Sequence, residues 1–201
     1  MIHIDQETYK IQEDSFIKKI YPKKQIVIAS SLRKNNYHVV RLLNRLTAKK
    51  RWNTFTISRD GKIYQHYDPK YYTNFLKIGV KEADMRSISI VLENMGGLFK
   101  TSEGEYLNSL NETCDIEFVG KKKFIGQKYW ETYPQIQLEN LAKLCKILCN
   151  EFDIPLRIIE FHHTHEKIMD FNGIVFKSNY INNNNVNPFL NIEKLNELIT
   201  Q

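Results

Sequence analysis

This chain of 201 residues lacks several features that define common classes of protein. It has no apolar run near the roughly 20 residues that a membrane-spanning helix needs, so we expect no membrane partner. Its first residues show no basic start followed by an apolar stretch, and we therefore expect no signal peptide and a location in the cytoplasm or in a virion. A Gly-rich phosphate loop and internal repeats are also missing, so neither a P-loop site nor a repeat architecture is predicted.

Cysteine is scarce. The three cysteines are Cys114, Cys145 and Cys149, and the last two lie four residues apart among leucines in an apparent helix. An odd number in this arrangement indicates reduced core thiols rather than a disulfide framework, and it does not favour a metal site.

Basic residues exceed acidic residues only modestly: the chain has 29 Lys and Arg against 23 Asp and Glu, which gives a formal net charge of +6. Much of the excess lies in lysine-rich pairs and triplets: Lys18-Lys19, Lys23-Lys24, residues 49–51 and residues 121–123. Such runs are usually solvated surface, and the alternative is attraction to a polyanion such as nucleic acid or an anionic cell-wall polymer. The 42% hydrophobic and 12% aromatic content predicts a globular chain.

Strands alternate with helices along the chain, which predicts a single α/β domain with a central mixed β-sheet flanked by helices. We expect an N-terminal arm at residues 1–24, a domain at 25–201 and an insertion around 98–128. The predicted strands are residues 25–29, 54–58, 62–66, 87–92 and 156–161. The predicted helices are a stripe of apolar residues from Val39 to Leu46, a clear amphipathic helix from Gln135, and a short helix from about Ile192.

A hairpin is predicted where Asp60-Gly61 separates two strand-like segments. The pair tolerates the positive φ that a tight turn demands, and it is the strongest hairpin signal in the sequence.

The order of these segments resembles the zinc-dependent N-acetylmuramoyl-L-alanine amidases, a family related to the peptidoglycan recognition proteins. The matching segments are QIVIA, TFTIS, the turn RDG, KIYQ and SISIVLEN, followed by GGLFK, FIGQKYWETYPQIQLENLAKL and GIVFKSNY, which are similar to the phage-type branch. The resemblance covers roughly residues 20–198. It implies the amidase fold and a reaction that cleaves the amide between the lactyl group of muramic acid and L-alanine.

The resemblance also implies a zinc ion with three protein ligands, which activates a water molecule. When the family motifs are matched to this sequence, the positions of the family's functional residues are occupied by side chains that cannot act as zinc ligands. Ala29 stands for the first histidine ligand and Val91 for the acidic residue. Asn53, with Thr54, replaces an aromatic–histidine pair, and Lys177 and Asn187 stand for the other two ligands. We therefore expect no catalytic residues and no cofactor.

One alternative keeps the metal. His162, His163 and His165 follow the predicted strand at 156–161, and on a strand His163 and His165 would share one face. A relocated zinc site at these histidines would make the chain an active amidase.

The leading hypothesis is a catalytically inactive amidase-like protein with a structural or binding role. We expect protein partners in a larger assembly, such as a phage virion or tail, and peptidoglycan fragments as a further ligand. The former active-site groove would be lined by Asn53, Lys177, Asn179 and Tyr180. A basic module that associates with nucleic acid is a third hypothesis.

Overall fold

The structure is a computed structural model and describes residues 2–33, 51–124, 126–160, 162–181 and 190–201, together with Val39 and Leu43. The strands in these residues are β1 (Ile4–Asp5), β2 (Gln25–Ser30), β3 (Phe55–Ile57), β4 (Ile63–Gln65), β5 (Ser87–Leu92), β6 (Gly97–Lys100), β7 (Tyr106–Leu107), β8 (Thr113–Cys114), β9 (Val119–Phe124), β10 (Gln127–Glu131) and β11 (Gly173–Phe176). The helices are α1 (Lys81–Met85), α2 (Gln135–Glu151) and α3 (Ile192–Thr200).

Six strands form the main sheet in the order β1-β4-β3-β5-β2-β11. Every neighbouring pair is parallel except β3 and β4, which form an antiparallel hairpin. Strands β2, β5 and β11 are buried along their whole length, because parallel strands of an α/β fold are covered on both faces. The expected α/β fold with a central mixed sheet is confirmed.

The two faces of the main sheet differ in chemistry. The face that we call the helix face packs against α2 and α3 and carries Ile26, Ile28, Phe55, Ile57, Ile88, Ile90, Ile174 and Phe176. The opposite face, which we call the polar face, carries Gln25, Thr54, Thr56, His66, Ser87 and Ser89, interspersed with Val27, Ala29 and Val91. Alternation of side chains along each strand separates the two sets.

The predicted hairpin is confirmed between β3 and β4. Gly61 has φ +85°, which favours glycine, and a Cβ atom there would lie 2.8 Å from the side chain of Ile136. The Asn140 side chain donates a 2.9 Å hydrogen bond to the Gly61 carbonyl, so the turn is tied to α2.

The predicted amphipathic helix from Gln135 is confirmed as α2. Its apolar side includes Leu141, Leu144 and Cys145, all completely buried. The Gln137 side chain donates to the carbonyls of Ile57 (2.9 Å) and Glu93 (3.1 Å), which anchors the helix to β3 and to the residue after β5. The predicted C-terminal helix is α3, and the Asn191 side chain caps it by accepting from the Lys194 N–H.

Residues 97–131 form a second, five-stranded antiparallel sheet in the order β8-β7-β6-β10-β9. The segment shows only weak periodicity in the sequence. Met95, Leu98 and Cys114 make a small separate core beneath it. The predicted insertion around 98–128 falls within this second sheet.

The N-terminal segment packs on the main sheet. Strand β1 pairs in parallel with β4, and Ile17 bridges to Tyr72. Ile11 and Phe16 are buried in a small cluster with Trp52 and Tyr67.

One strand prediction is wrong. Of the predicted strand, the described residues 156–160 contribute a single bridge, from Ile158 to Ile174, whereas the strand beside β2 is β11, Gly173–Phe176. The four residues of β11 are fully buried, while Leu156 and Glu160 are exposed, so the more completely apolar segment lies next to β2.

The predicted helix from Val39 to Leu46 lies outside the described residues, apart from Val39 and Leu43, which are both helical. In the part of the chain that the structure describes, no helix is long and apolar enough to cross a membrane.

Candidate functional site

Three residues that match the family's functional positions, Ala29, Val91 and Lys177, lie at the carboxyl ends of β2, β5 and β11, the edge where ligands bind in open α/β sheets. Ala29 and Val91 are register partners on β2 and β5, and Thr56 of β3 pairs with Val91 on the other side. Ala29 and Val91 are both 2% exposed. The middle of this candidate site therefore presents a methyl and an isopropyl group.

Lys177 opens the turn that follows β11, and its ammonium group is buried. Its Nζ donates a 3.2 Å hydrogen bond to the Phe75 carbonyl and lies 4.1 Å from the centre of the Phe75 ring. Burial lowers the pKa of Lys177 to about 8, with Lys77 acting in the same direction and Asp84 against it. The group is still mostly protonated at neutral pH, and an ammonium has no lone pair for a metal.

Asp84 and Lys23 continue this buried charged region. The Asp84 carboxylate accepts from the Leu76 N–H at 2.8 Å, and burial raises the pKa of Asp84 to about 6. Lys23 donates to three backbone carbonyls, at 2.8, 2.9 and 3.3 Å, and burial lowers its pKa to about 8. Sequence reasoning had assigned Lys23 to a surface lysine pair and did not single out Asp84.

The other predicted groove residues are also hydrogen-bonded within the protein. Asn179 accepts from the Phe176 N–H (2.7 Å) and donates to the His163 carbonyl (2.9 Å). The Tyr180 hydroxyl donates to the Gln25 side chain. Asn179 and Tyr180 line a cavity of about 420 Å³ beside His165. Lys177, Asn179 and Tyr180 thus share one turn, while Asn53 lies just before β3; their joint role as a ligand groove stays a prediction.

Asn53 begins a hydrogen-bonded chain across the polar face. Its amide donates to the Phe55 carbonyl (2.6 Å) and to Thr56 Oγ1 (2.8 Å). Thr56 Oγ1 lies 2.8 Å from His66 Nε2, and His66 Nδ1 lies 2.8 Å from the Tyr9 carbonyl. The carbonyl can only accept, so we assign the proton to Nδ1, and Nε2 then accepts from Thr56. Burial lowers the pKa of His66 to about 4, so the ring is neutral.

A second chain of hydroxyls lies beside it. Thr54 Oγ1 donates to the Tyr67 hydroxyl at 3.0 Å and lies 3.2 Å from Ser89 Oγ, which also accepts from the Thr54 N–H. Both chains join residues far apart in sequence, which is why no local motif indicated them.

Glu93 is the functional candidate that sequence reasoning missed. It follows β5, is 1% exposed, and by strand alternation lies on the polar face two residues beyond Val91. Burial raises its pKa to about 7, although Arg59 acts in the opposite direction. One of its carboxylate oxygens has no hydrogen-bond partner among the described residues. The available signal was an acidic residue directly after an apolar strand, in SISIVLEN.

The three histidines of the alternative metal site do not lie on a strand, which corrects that expectation. His162 Nε2 is 2.9 Å from the Leu190 carbonyl, and its ring lies 4.1 Å from that of Phe176. His165 Nδ1 accepts from the Lys167 N–H at 3.2 Å. Among the described residues, no group of three or more His, Cys, Asp or Glu side chains could hold a metal ion. Asn187 lies outside the described residues.

The family's zinc ion does not fit the described residues at the matched positions. Zinc needs imidazole, thiolate or carboxylate donors at about 2.0–2.3 Å. Ala29 offers a methyl group, and Lys177 offers a cation already bound to the Phe75 carbonyl.

Residues 22–173 match the family model described as N-acetylmuramoyl-L-alanine amidase. The match covers well over half of the chain, so the chain belongs to the N-acetylmuramoyl-L-alanine amidase family. The resemblance found in the sequence is confirmed. No curated protein matches the sequence.

Several solved structures share the fold. The catalytic domain of XlyA has a TM-score of 0.58 and 14% identity, with 98% of this chain and 99% of that chain covered. The amidase LysC from Clostridium intestinale URNW has a TM-score of 0.55 and 12% identity, covering 100% and 99%. A mutant endolysin from Bacillus subtilis has a TM-score of 0.52 and 16% identity, covering 90% and 86%.

Proposed function

We propose that this chain is an amidase-family protein that binds peptidoglycan without cleaving it through a zinc-activated water. The observation that carries the proposal is the chemistry of the positions that match the family motifs. The methyl group of Ala29 and the buried ammonium of Lys177 stand where the family has zinc ligands, and the isopropyl group of Val91 stands where it has an acidic residue.

The physical reason is that metal hydrolysis requires lone pairs in a fixed geometry. The Lys177 ammonium adds a second obstacle, because a positive charge in a site of low dielectric constant repels a divalent cation. The surrounding hydrogen bonds support the same proposal: Asn53, Thr56 and His66 satisfy one another, and none of these bonds requires a metal.

Peptidoglycan is the proposed ligand because the family acts on that polymer. We further propose that the protein works in the cytoplasm or a phage particle as part of a protein assembly.

Hydrolysis and zinc content test the proposal together. The full chain should be loaded with Zn²⁺, dialysed, and analysed for bound metal, then incubated with purified cell walls while new L-alanine amino ends are measured. The N-acetylmuramoyl-L-alanine amidase LysC from Clostridium intestinale URNW serves as the positive control. We expect no stoichiometric zinc and no new amino ends; zinc at one equivalent with release of L-alanine ends would contradict the proposal.

The histidine alternative has its own control. If zinc does bind, the double variant His163→Ala/His165→Ala should lose it only if these side chains form a relocated site. If the double variant still binds zinc, the zinc ligands are residues other than His163 and His165.

A second candidate function is hydrolysis that uses Glu93 for proton transfer. Its buried carboxyl with a pKa of about 7 is the specific observation, since a general acid or base works best when its pKa is near the working pH. If cell walls are digested, Glu93→Gln should slow the reaction by about 10²-fold or more. An unchanged rate would remove Glu93 from the mechanism.

A further inference from the structure

We propose that the second sheet carries a sugar-binding platform formed by Tyr106 and Tyr129, with Lys100 and Lys121 as register partners beside them. Its ligand would be a glycan strand that bears carboxylates. The inference rests on the peptidoglycan-binding part of the proposed function and locates that binding away from the ends of the parallel strands.

The strand register places the four side chains on one face of the second sheet. Lys100 of β6 pairs with Tyr106 of β7, and Lys121 of β9 pairs with Tyr129 of β10. Tyr129 also pairs with Leu98, which shares a face with Lys100 two residues later. The four residues therefore form a stripe across the strands, which we call the tyrosine platform.

The rings of Tyr106 on β7 and Tyr129 on β10 are in contact across β6. Their centroids are 5.0 Å apart and their planes are inclined at 70°. Both tyrosines are half-buried over the small core of the second sheet, while both lysines are exposed. The Lys100 Nζ lies 5.6 Å from the centre of the Tyr106 ring, and the Lys128 Nζ is at the same distance from Tyr129. Rigid rings thus lie next to solvated ammonium groups.

This combination suits a sugar with carboxylate substituents. The apolar C–H face of a pyranose packs on an aromatic ring, and the inclined rings offer two contact planes. The lysines can pair with the carboxylates of the stem peptides that the glycan strand carries, and such exposed pairs favour binding modestly.

Local charge favours a glycan over nucleic acid. Residues 97–131 contain five lysines and six acidic residues, a net charge of −1, although the whole chain carries +6. Single-stranded nucleic acid binds through stacked aromatics in a strongly positive groove, because every nucleotide carries a phosphate. A polymer with sparse carboxylates needs only the few cations found here.

The test is co-sedimentation of the full chain with purified insoluble peptidoglycan, comparing the wild type with three variants. Tyr106→Ala/Tyr129→Ala should bind about tenfold more weakly, because the stacking surface is removed. Tyr106→Phe/Tyr129→Phe should bind like the wild type, since the rings remain. Lys100→Ala/Lys121→Ala should bind several-fold more weakly, and its binding should depend less on salt.

Tyr71→Ala is the matched control, because Tyr71 also has a lysine ammonium over its ring, 5.0 Å away, but lies on the N-terminal cluster. Circular dichroism and the urea midpoint verify folding. If the double alanine variant of the tyrosines does not fold, the lysine variant, which changes exposed side chains, decides the question.

Each result bears on the proposal. Wild-type binding that neither the tyrosine-to-alanine nor the lysine variant weakens would overturn the platform but leave the proposed function standing. A wild-type chain that stays in the supernatant would overturn both. Tight binding to single-stranded DNA that the platform variants weaken, with peptidoglycan binding unaffected, would replace the glycan by nucleic acid.

Discussion

The two faces of the main sheet come from the same strands but are stabilised in different ways. On the helix face, residues such as Ile28, Ile90 and Leu141 are held mainly by apolar packing. On the polar face, Thr56, His66 and their neighbours are joined by directed hydrogen bonds. Apolar packing tolerates many combinations of residues of similar volume, whereas each hydrogen bond needs one partner at one distance. The helix face therefore specifies the fold, and the polar face holds the chemistry that distinguishes this chain from the zinc pattern of its family.

The largest effect is expected on the helix face. Ile90→Ala removes a completely buried side chain and should lower the free energy of unfolding by about 3–4 kcal/mol, through lost transfer energy and a cavity. Urea unfolding measures the change. Ile147→Ala, on the exposed side of α2, is the control and should cost under about 1 kcal/mol. Equal losses for the two variants would contradict the role of buried apolar packing on the helix face.

Acid should act through His66 on the polar face. Its pKa is about 4 in the folded protein and near 6.5 in the unfolded chain, so the unfolded chain binds more protons between these values. Stability from this group is complete above about pH 6.5 and falls by about 3 kcal/mol as the pH drops to about 4.

Glu93 and Asp84 act in the opposite direction, because their folded pKa values are raised to about 7 and about 6. Their contribution is complete below the unfolded values and is lost as the pH rises through the folded ones. His66→Gln should therefore weaken or reverse the destabilisation by acid, measured as the free energy of unfolding at pH 7 and pH 5. Parallel pH curves for the variant and the wild type would show that His66 is not buried as a neutral ring.

Removing one hydroxyl should have an intermediate effect. Thr56→Val keeps the shape of the side chain but leaves His66 Nε2 without its donor, at a cost of about 2 kcal/mol in unfolding free energy. Thr164→Val, at an exposed position, provides the matched comparison and should change stability little. If Thr56→Val is neutral, the hydrogen-bonded chain adds nothing to the stability of the polar face.

The smallest effect is expected from a polar contact outside the polar face. Asn191→Ala removes the cap of α3 and should cost about 1 kcal/mol, whereas Asn191→Asp should restore most of it. Thermal unfolding compares the two. If Asn191→Ala lowers the free energy of unfolding as much as Thr56→Val does, a hydrogen bond on the polar face is no more stabilising than one at the end of α3.

Much of the helix face could be predicted from sequence. The apolar runs at 25–29 and 87–92 and the stripe of α2 have the periods of buried strands and an amphipathic helix, and Asp60-Gly61 marks the hairpin. The sequence does not show which of two segments forms the strand beside β2. Residues 156–161 and β11 both contain apolar, β-branched residues, and their packing against β2 in the folded protein decides between them.

The candidate site was less accessible to prediction. Residue types alone show that Ala29 and Val91 cannot bind zinc. The neutral state of His66, however, comes from its burial in the folded protein, and its Nδ1 partner is the Tyr9 carbonyl 57 residues away. The Lys177 ammonium is bonded to the Phe75 carbonyl, 102 residues away.

The sequence by itself determined strands β2 to β5, helices α2 and α3, the turn between β3 and β4, and the absence of metal donors at Ala29 and Val91, because these depend on side-chain chemistry and on spacing within one segment. Only the tertiary structure decided which charges are buried, where the Glu93 carboxyl lies, and that Tyr106 and Tyr129 meet on one face of a second sheet. The physical reason is that burial and hydrogen bonding are set by neighbours in space, which the local pattern of a sequence does not specify.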